Sequence, residues 1–363
     1  MRLGYSTQLD MAFRFYRVCL FSIQLLAKIM LESLYIQPEQ PLTEMKQCQQ
    51  VEQHYCLNKI SRISITARRA VCVLAIVTCS ACTDSPKLDI LNSAIPAIGY
   101  EVQTGIAYGD LARQKMDIYH PNKPAEHSRV IVFVFGGAWR TGERRQYEFV
   151  GQALSSAGHT VVIPDYRLYP ETTFPGFVDD IVAAIDKWSM LQTDRTDEPA
   201  LAKTGKALNF VLMGHSSGAH TAALLASDPS WLEAANVTVT ELVALSGPYD
   251  VPLDDPEVAP VFAGATPESV QPNKLATRCH PRTLLLHGSK DERVLPKHSK
   301  TYASALQALD VEVELILLEG DDHASPVAGL AAPLRLTSDS YNKVVQFLAQ
   351  PGNITACDPT VNG

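Results

Sequence analysis

The chain has 363 residues, 46% of them hydrophobic and 19% charged, enough to bury one large core or two modest ones and ordinary for a globular enzyme. Its formal charge of −8 is uneven: residues 1–82 carry a net +4 and the rest −12. An acidic body excludes a nucleic-acid partner, which needs a basic face, and no paired C-x-x-C spacing offers a structural zinc site.

Residues 1–83 read as an N-terminal extension unlike the start of an enzyme. The apolar run 18–27, about ten residues long, is too short to span a bilayer, and 38–53 is polar, Gln-rich and without period. Arg68 and Arg69 then precede AVCVLAIVT (70–78) and Cys79-Ser80-Ala81-Cys82. A positive pair, a short apolar stretch and small residues at its end have the layout of a secretory signal. Because it ends on cysteine, the segment resembles a bacterial lipoprotein signal. That resemblance implies membrane attachment through a lipidated Cys79 or Cys82, and a place in the cell envelope or outside the cell. Met45 is a candidate translation start for such a signal; otherwise the segment is a buried or interfacial helix and the protein is cytoplasmic. Six of the eight cysteines lie before residue 83, and the remaining two, Cys279 and Cys357, could form one bridge in an oxidising compartment.

Residues 84–99, containing Pro and Ser, read as a linker. Strand-like stretches at 101–108 and 115–119 meet near Gly109-Asp110, a turn signal, and predict an antiparallel hairpin. Further strands are predicted at 130–135, 160–164, 210–213, 241–246, 283–287 and 311–318, with helices at 148–157, 177–190, 217–226, 296–309 and 337–348. Strands alternating with helices predict an α/β domain over 100–350: a mostly parallel sheet of about eight strands flanked by helices on both faces, followed by a tail at 351–363.

Asn209 to Ala226 carries the chemistry. An apolar run leads into Gly214-His215-Ser216-Ser217-Gly218, and Ala and Leu at helical spacing follow. A G-x-S-x-G sequence between strand and helix holds its serine on a strained turn at the C-terminal edge of a sheet, so Ser216 is the candidate nucleophile. Phe135-Gly136-Gly137-Ala138-Trp139 closes the strand at 130, and its small residues let bare N–H groups approach a substrate. The backbone N–H groups of Gly137, Ala138 and Ser217 are the candidate oxyanion donors. Asp291 lies just beyond the strand LLLHG and is the candidate acid, with Glu292 its nearest rival and Asp250 and Asp255 after the preceding strand. His323, directly after the last strand, is the candidate base; His215, His287 and His298 are accounted for by strand or helix positions. The order Ser216, Asp291, His323 is that of the α/β-hydrolases and not of the trypsin or subtilisin arrangements.

These stretches, with PDYRLYPETTFPGFVDD and LLLHGSKDERV, resemble the esterase/lipase branch of the α/β-hydrolase superfamily. Hormone-sensitive-lipase-like and isoprenylcysteine-methylesterase-like carboxylesterases belong to that branch. The resemblance covers about 100–350 and implies the α/β-hydrolase fold and a serine hydrolase that needs no cofactor and forms an acyl-enzyme. It also implies that Asp165 and Arg167 are buried scaffold. One departure is Phe135, where the branch commonly has His before its Gly-Gly. The substrate expected is a small-molecule ester, because 247–280 is Pro-rich and lacks the amphipathic helix with which a lipase covers its site. Trp139, Tyr249 and Phe262 either line a pocket or belong to the core. An arylformamidase-like amide hydrolase is the alternative within the same machinery; a non-catalytic hydrolase-like binding protein would leave Ser, Asp and His free to drift.

Overall fold

The computed structural model describes residues 86–193, 208–235 and 237–350. The signal-like segment with Cys79 and Cys82 and the tail at 351–363 lie outside the described residues. In chain order the elements are α1 (Pro86–Ser93), β1 (Tyr100–Ala107), β2 (Lys115–Pro121), β3 (Val130–Val134), α2 (Glu148–Ser156), β4 (Thr160–Pro164), α3 (Gly176–Thr193), β5 (Leu208–His215), α4 (Ser217–Ser227) and β6 (Val237–Leu245). Two single-turn helices follow, α5 (Pro267–Val270) and α6 (Pro272–Leu275), then β7 (Arg282–Gly288), α7 (Lys297–Ala308), β8 (Val313–Leu318), α8 (Ser325–Ala328) and α9 (Ser340–Ala349).

The strands form one eight-stranded sheet in the order β1-β2-β4-β3-β5-β6-β7-β8. β1 and β2 pair antiparallel, as does β2 with β4, and the other pairings are parallel. Parallel strands joined through helices are covered on both faces, so their sequences are continuously apolar and do not alternate. β7 is buried along its whole length, and β5 is buried from Phe210 to His215. The edge strand β1 is mostly exposed and carries Glu101, Gln103 and Thr104. α4 is buried at every residue, and its small Ala-rich sequence lets it lie close on β5 and β3. An added Cβ at Gly218 would come within 2.1 Å of the Val134 carbonyl oxygen, so only glycine permits that approach.

The segment read as a linker holds α1, which is fixed to the domain. Leu88 and Leu91 pack on the core. Asn92 Oδ1 accepts the Phe149 N–H at 3.0 Å, and its Nδ2 donates to the Arg145 carbonyl at 2.8 Å. Asn92 thereby satisfies an N–H in the first turn of α2 from a distant part of the chain. That contact is long-range, so local composition showed only the polar residues.

Asp165 and Arg167 are scaffold in two separate pairs. Asp165 accepts the Arg144 backbone N–H at 2.6 Å and pairs with its guanidinium, which also reaches Asp117 at 2.8 Å. Arg167 forks onto Asp180, with Nε and Nη2 each 2.9 Å from a carboxylate oxygen. No helix among the described residues is long and apolar enough to cross a membrane.

Candidate active site

Ser216 stands between β5 and α4 with φ 55° and ψ −124°, a conformation unfavourable for a residue with a Cβ. Its N–H donates to the Leu245 carbonyl at 2.9 Å, which ties the turn to β6. This geometry turns the side chain out at the C-terminal edge of the sheet, beside the positive end of the α4 dipole. β7 and β8 end on the same edge and deliver two further groups.

His323 Nδ1 lies 2.7 Å from Asp291 Oδ2, and His323 Nε2 lies 2.9 Å from Ser216 Oγ. An ionised carboxylate only accepts, so the ring proton sits on Nδ1 and the Nε2 lone pair faces the serine hydroxyl. Asp291 is ionised because its partners outweigh its burial. Burial alone would raise its pKa, but hydrogen bonds from His287 and His323 and the Val294 N–H hold it well below the usual carboxylate range. Oδ1 accepts the N–H groups of Arg293 at 3.0 Å and Val294 at 2.9 Å. The other acids considered stand elsewhere. Glu292 is exposed, and Asp255 accepts the Glu257 N–H in a turn at 2.8 Å. Asp250 lines a cavity of about 460 Å³ with Asp254, Gln271, Lys297 and His298.

The loop after β3 approaches the serine closely. A Cβ at Gly136 would fall 2.9 Å from both the Ser216 Cβ and the His215 carbonyl oxygen. Gly137, Ala138 and Trp139 follow with φ 135°, 54° and 58°, so three successive residues take left-handed conformations. Among the described residues, the N–H groups of Gly137 and Ala138 donate no backbone hydrogen bond. Ser217 is the first residue of α4, where an N–H has no partner within the helix. The Trp139 N–H is directed to Ser217 Oγ at 3.4 Å and the Trp139 indole to Thr221 Oγ1 at 3.3 Å, fixing the loop on α4.

This arrangement has counterparts. The BD-FAE family matches residues 116–252. Isoprenylcysteine alpha-carbonyl methylesterase ICME of Arabidopsis thaliana is 30% identical over 280 residues, covering 70% of this chain and 63% of that protein. Esterase LipC of Mycobacterium tuberculosis is 28% identical over 247 residues, 60% of this chain and 58% of its own. A kynurenine formamidase of Meyerozyma guilliermondii is 27% identical over 231 residues, 58% of this chain and 82% of its own. Among solved structures, a truncated carbohydrate esterase from gut microbiota superposes with a TM-score of 0.59 at 18% identity, over 70% of this chain and 98% of that one. These likenesses support the esterase/lipase branch of the α/β-hydrolases. The chain spans about three fifths of the length of the first two of these curated relatives.

At Phe135, where the chain departs from the His of the branch it resembles, the structure holds a replacement. Phe135 is fully buried, stacks on Tyr166 at 4.5 Å and Tyr147 at 5.7 Å, and its carbonyl accepts the Tyr166 hydroxyl at 2.7 Å. An aromatic sandwich and one main-chain bond therefore hold the root of the loop. The three rings considered for a pocket are all buried. Trp139 meets Phe262 edge-on at 4.9 Å within a cluster that includes His220, whereas Tyr249 stacks on Tyr302 at 4.5 Å.

Two histidines accounted for by position alone touch the site. His215 donates from Nε2 to the His323 carbonyl at 3.0 Å. Burial, with His323 beside it, pushes its pKa down to about 3, so the ring is neutral. His287 reaches Asp291 Oδ2 at 3.1 Å from Nε2. The available signal was a histidine following an apolar run in a buried strand, LLLHG in β7 and FVLMGH in β5, which requires a partner; the identity of that partner was a tertiary matter.

Proposed function

We propose that the chain is a serine hydrolase that cleaves small carboxylic esters through an acyl-enzyme on Ser216. The observation that carries this is the hydrogen-bonded series Ser216 Oγ, His323 Nε2, His323 Nδ1, Asp291 Oδ2, with links of 2.9 and 2.7 Å. As Ser216 Oγ attacks the ester carbonyl carbon, its proton passes to His323 Nε2, and the imidazolium is held by Asp291. The carbonyl oxygen becomes an oxyanion, within reach of the N–H groups of Gly137, Ala138 and Ser217. Collapse breaks the bond to the alcohol oxygen, which takes the proton from Nε2. Water then repeats the sequence on the acyl-enzyme, giving its proton to His323, and releases the acid with Ser216 restored.

The small-ester reading is supported by the segment after β6. Residues 247–280 form turns and two helices of four residues each, with Val251, Val261, Phe262 and Val270 directed into the core. This segment is without a long amphipathic helix and polar outside, and suits a small ester in water. Methyl ester cleavage in the plant relative's name accords with a small group on one side of the scissile bond. The formamidase likeness favours an amide-type formyl substrate as a second reading. A series of p-nitrophenyl esters from two to sixteen carbons, run beside N-formylkynurenine and an aryl amide, separates these. Highest kcat/KM at about two to six carbons is expected. A maximum at long chains refutes the small-ester reading, and preference for the formamide moves the assignment to the alternative.

A location outside the cytoplasm, implied by the lipoprotein-like 68–82 segment, is supported by Cys279, which is disulfide-bonded. Cys357, the candidate for its partner, lies outside the described residues. Such bonds persist in oxidising compartments. Mass spectrometry of native protein is expected to find an acylated Cys79 or Cys82 as the first residue, and an intact Met1 would reject lipidation.

A further inference from the structure

We propose that His287 is a positioning residue for the triad acid, donating from Nε2 to Asp291 and so setting how much of the carboxylate charge His323 receives. The inference rests on the serine-hydrolase reading above. His287 is the next-to-last residue of β7, four residues before Asp291, and its side chain is fully buried. Its Nε2 is 2.7 Å from the Val294 carbonyl and 3.1 Å from Asp291 Oδ2, the oxygen that also takes the His323 proton. Both of those partners only accept, so Nε2 carries the hydrogen and shares it between them. Nδ1 is 2.7 Å from Ser299 Oγ in α7, whose hydroxyl donates to it and fixes the tautomer. Asp291 is then surrounded by donors: two backbone N–H groups on Oδ1, and two imidazole N–H groups on Oδ2.

An acceptor shared between two imidazoles polarises each less than it would polarise one. Removing the His287 donor concentrates the Asp291 charge on His323, stabilises the imidazolium and makes the base take up its proton at higher pH. It also frees the carboxylate to rotate about its remaining anchors, so the Nδ1 contact loses its fixed direction.

The ionisable groups around this pair come from several elements. His215, the last residue of β5, places its ring centroid 5.1 Å from that of His323. His298, on α7, interacts with both His287 and Asp291. Asp321 and Asp322 share the His323 loop. Burial, with His323 beside it, lowers the pKa of His215, and burial, with Lys297 beside it, lowers that of His298.

The test compares wild type, His287→Leu, His287→Gln and Ser299→Ala by kcat/KM for p-nitrophenyl butyrate from pH 5 to 9. Melting temperature and labelling of Ser216 by diisopropyl fluorophosphate are measured alongside. His287→Leu is expected to lower kcat/KM by about ten- to a hundredfold, within the range for a hydrogen-bond partner acting through another group. It should also move the acid limb upward by about half a pH unit or more. Gln places an amide N–H near the former Nε2, so His287→Gln is expected to return the limb toward wild type. Ser299→Ala frees the tautomer with little loss of volume, and should move the limb in the same direction by a smaller amount; it decides the matter if His287→Leu does not fold. A limb that stays in place in all variants, or a Gln variant no better than Leu, overturns the proposal while leaving the serine-hydrolase reading intact. Wild-type protein that neither hydrolyses the ester nor takes the label overturns that reading, and the inference with it.

Discussion

Ser216 illustrates how one residue's backbone and side chain oppose each other in stability. Its φ of 55° is unfavourable for any residue with a Cβ, and the cost is retained because the turn aims Oγ at His323 Nε2. Ser216→Ala removes the proposed nucleophile and keeps the strain, so it should abolish ester hydrolysis with nearly unchanged Tm. Ser216→Gly removes both: it should be equally inactive yet more stable by about 1 kcal/mol, a rise of roughly 2–4 °C in Tm. Calorimetry on the two inactive variants checks this, and a lower Tm for the glycine variant would show that the turn is not under strain. Asp291→Asn leaves the shape but offers His323 an amide in place of a charged acceptor, so a loss in kcat of about four orders of magnitude is expected.

At the scale of elements, the loop after β3 and the helix α1 make opposite demands. Gly137 has φ 135°, and a Cβ there would meet the Thr141 carbonyl oxygen at 2.1 Å. Gly137→Ala must displace the loop that carries two of the three candidate oxyanion donors, and kcat is expected to fall by about 10²–10³. Fluorophosphate labelling at Ser216 should persist but slow. α1 acts through stability alone. Asn92→Ala removes the hydrogen bonds to the Phe149 N–H at the start of α2 and to the Arg145 carbonyl before it, and should cost about 1–2 kcal/mol in urea unfolding, with kcat unchanged. A chain beginning at Asp84 is accordingly expected to fold with full activity, whereas one beginning after Ser93 should lose stability.

For the whole molecule, the buried histidines set the response to acid. Burial pushes the pKa values of His159, His220 and His280 down to about 4 each, His159 also under the influence of Arg129. All three are buried, so solvent screening reduces the effect little. The folded protein holds these rings neutral, while the unfolded chain protonates them below about pH 6.5. Between about pH 6.5 and 4 the unfolded state therefore binds more protons, and stability falls as pH falls, by up to about 1.4 kcal/mol per pH unit for each ring. Tm should be nearly flat above pH 7 and drop by several degrees from pH 6.5 to 5. A flat profile down to pH 5 would mean that these rings are protonated in the fold. Asp291 adds nothing in that window: its pKa is depressed, so its contribution is lost only in stronger acid.

The sequence by itself determined the alternation of elements, the eight strands and the residues that meet at the sheet edge. These follow from local physics: continuous apolar runs specify doubly covered strands, G-x-S-x-G specifies a strand-to-helix turn, and the ends of parallel strands lie on one edge whatever the loop lengths. Ser216, Asp291 and His323, some 107 and 32 residues apart along the chain in their hydrogen-bonded pairs, could be named from that rule alone. Only the tertiary structure decided the strand order, the docking of α1 through Asn92, the aromatic support under Phe135 and the contact of His287 with Asp291. Each of these joins residues that are distant in sequence or set by side-chain direction, and depends on which surfaces come together when the sheet twists and its helices close over it. A histidine in an apolar strand announces that it has a partner. The fold alone selects the carboxylate.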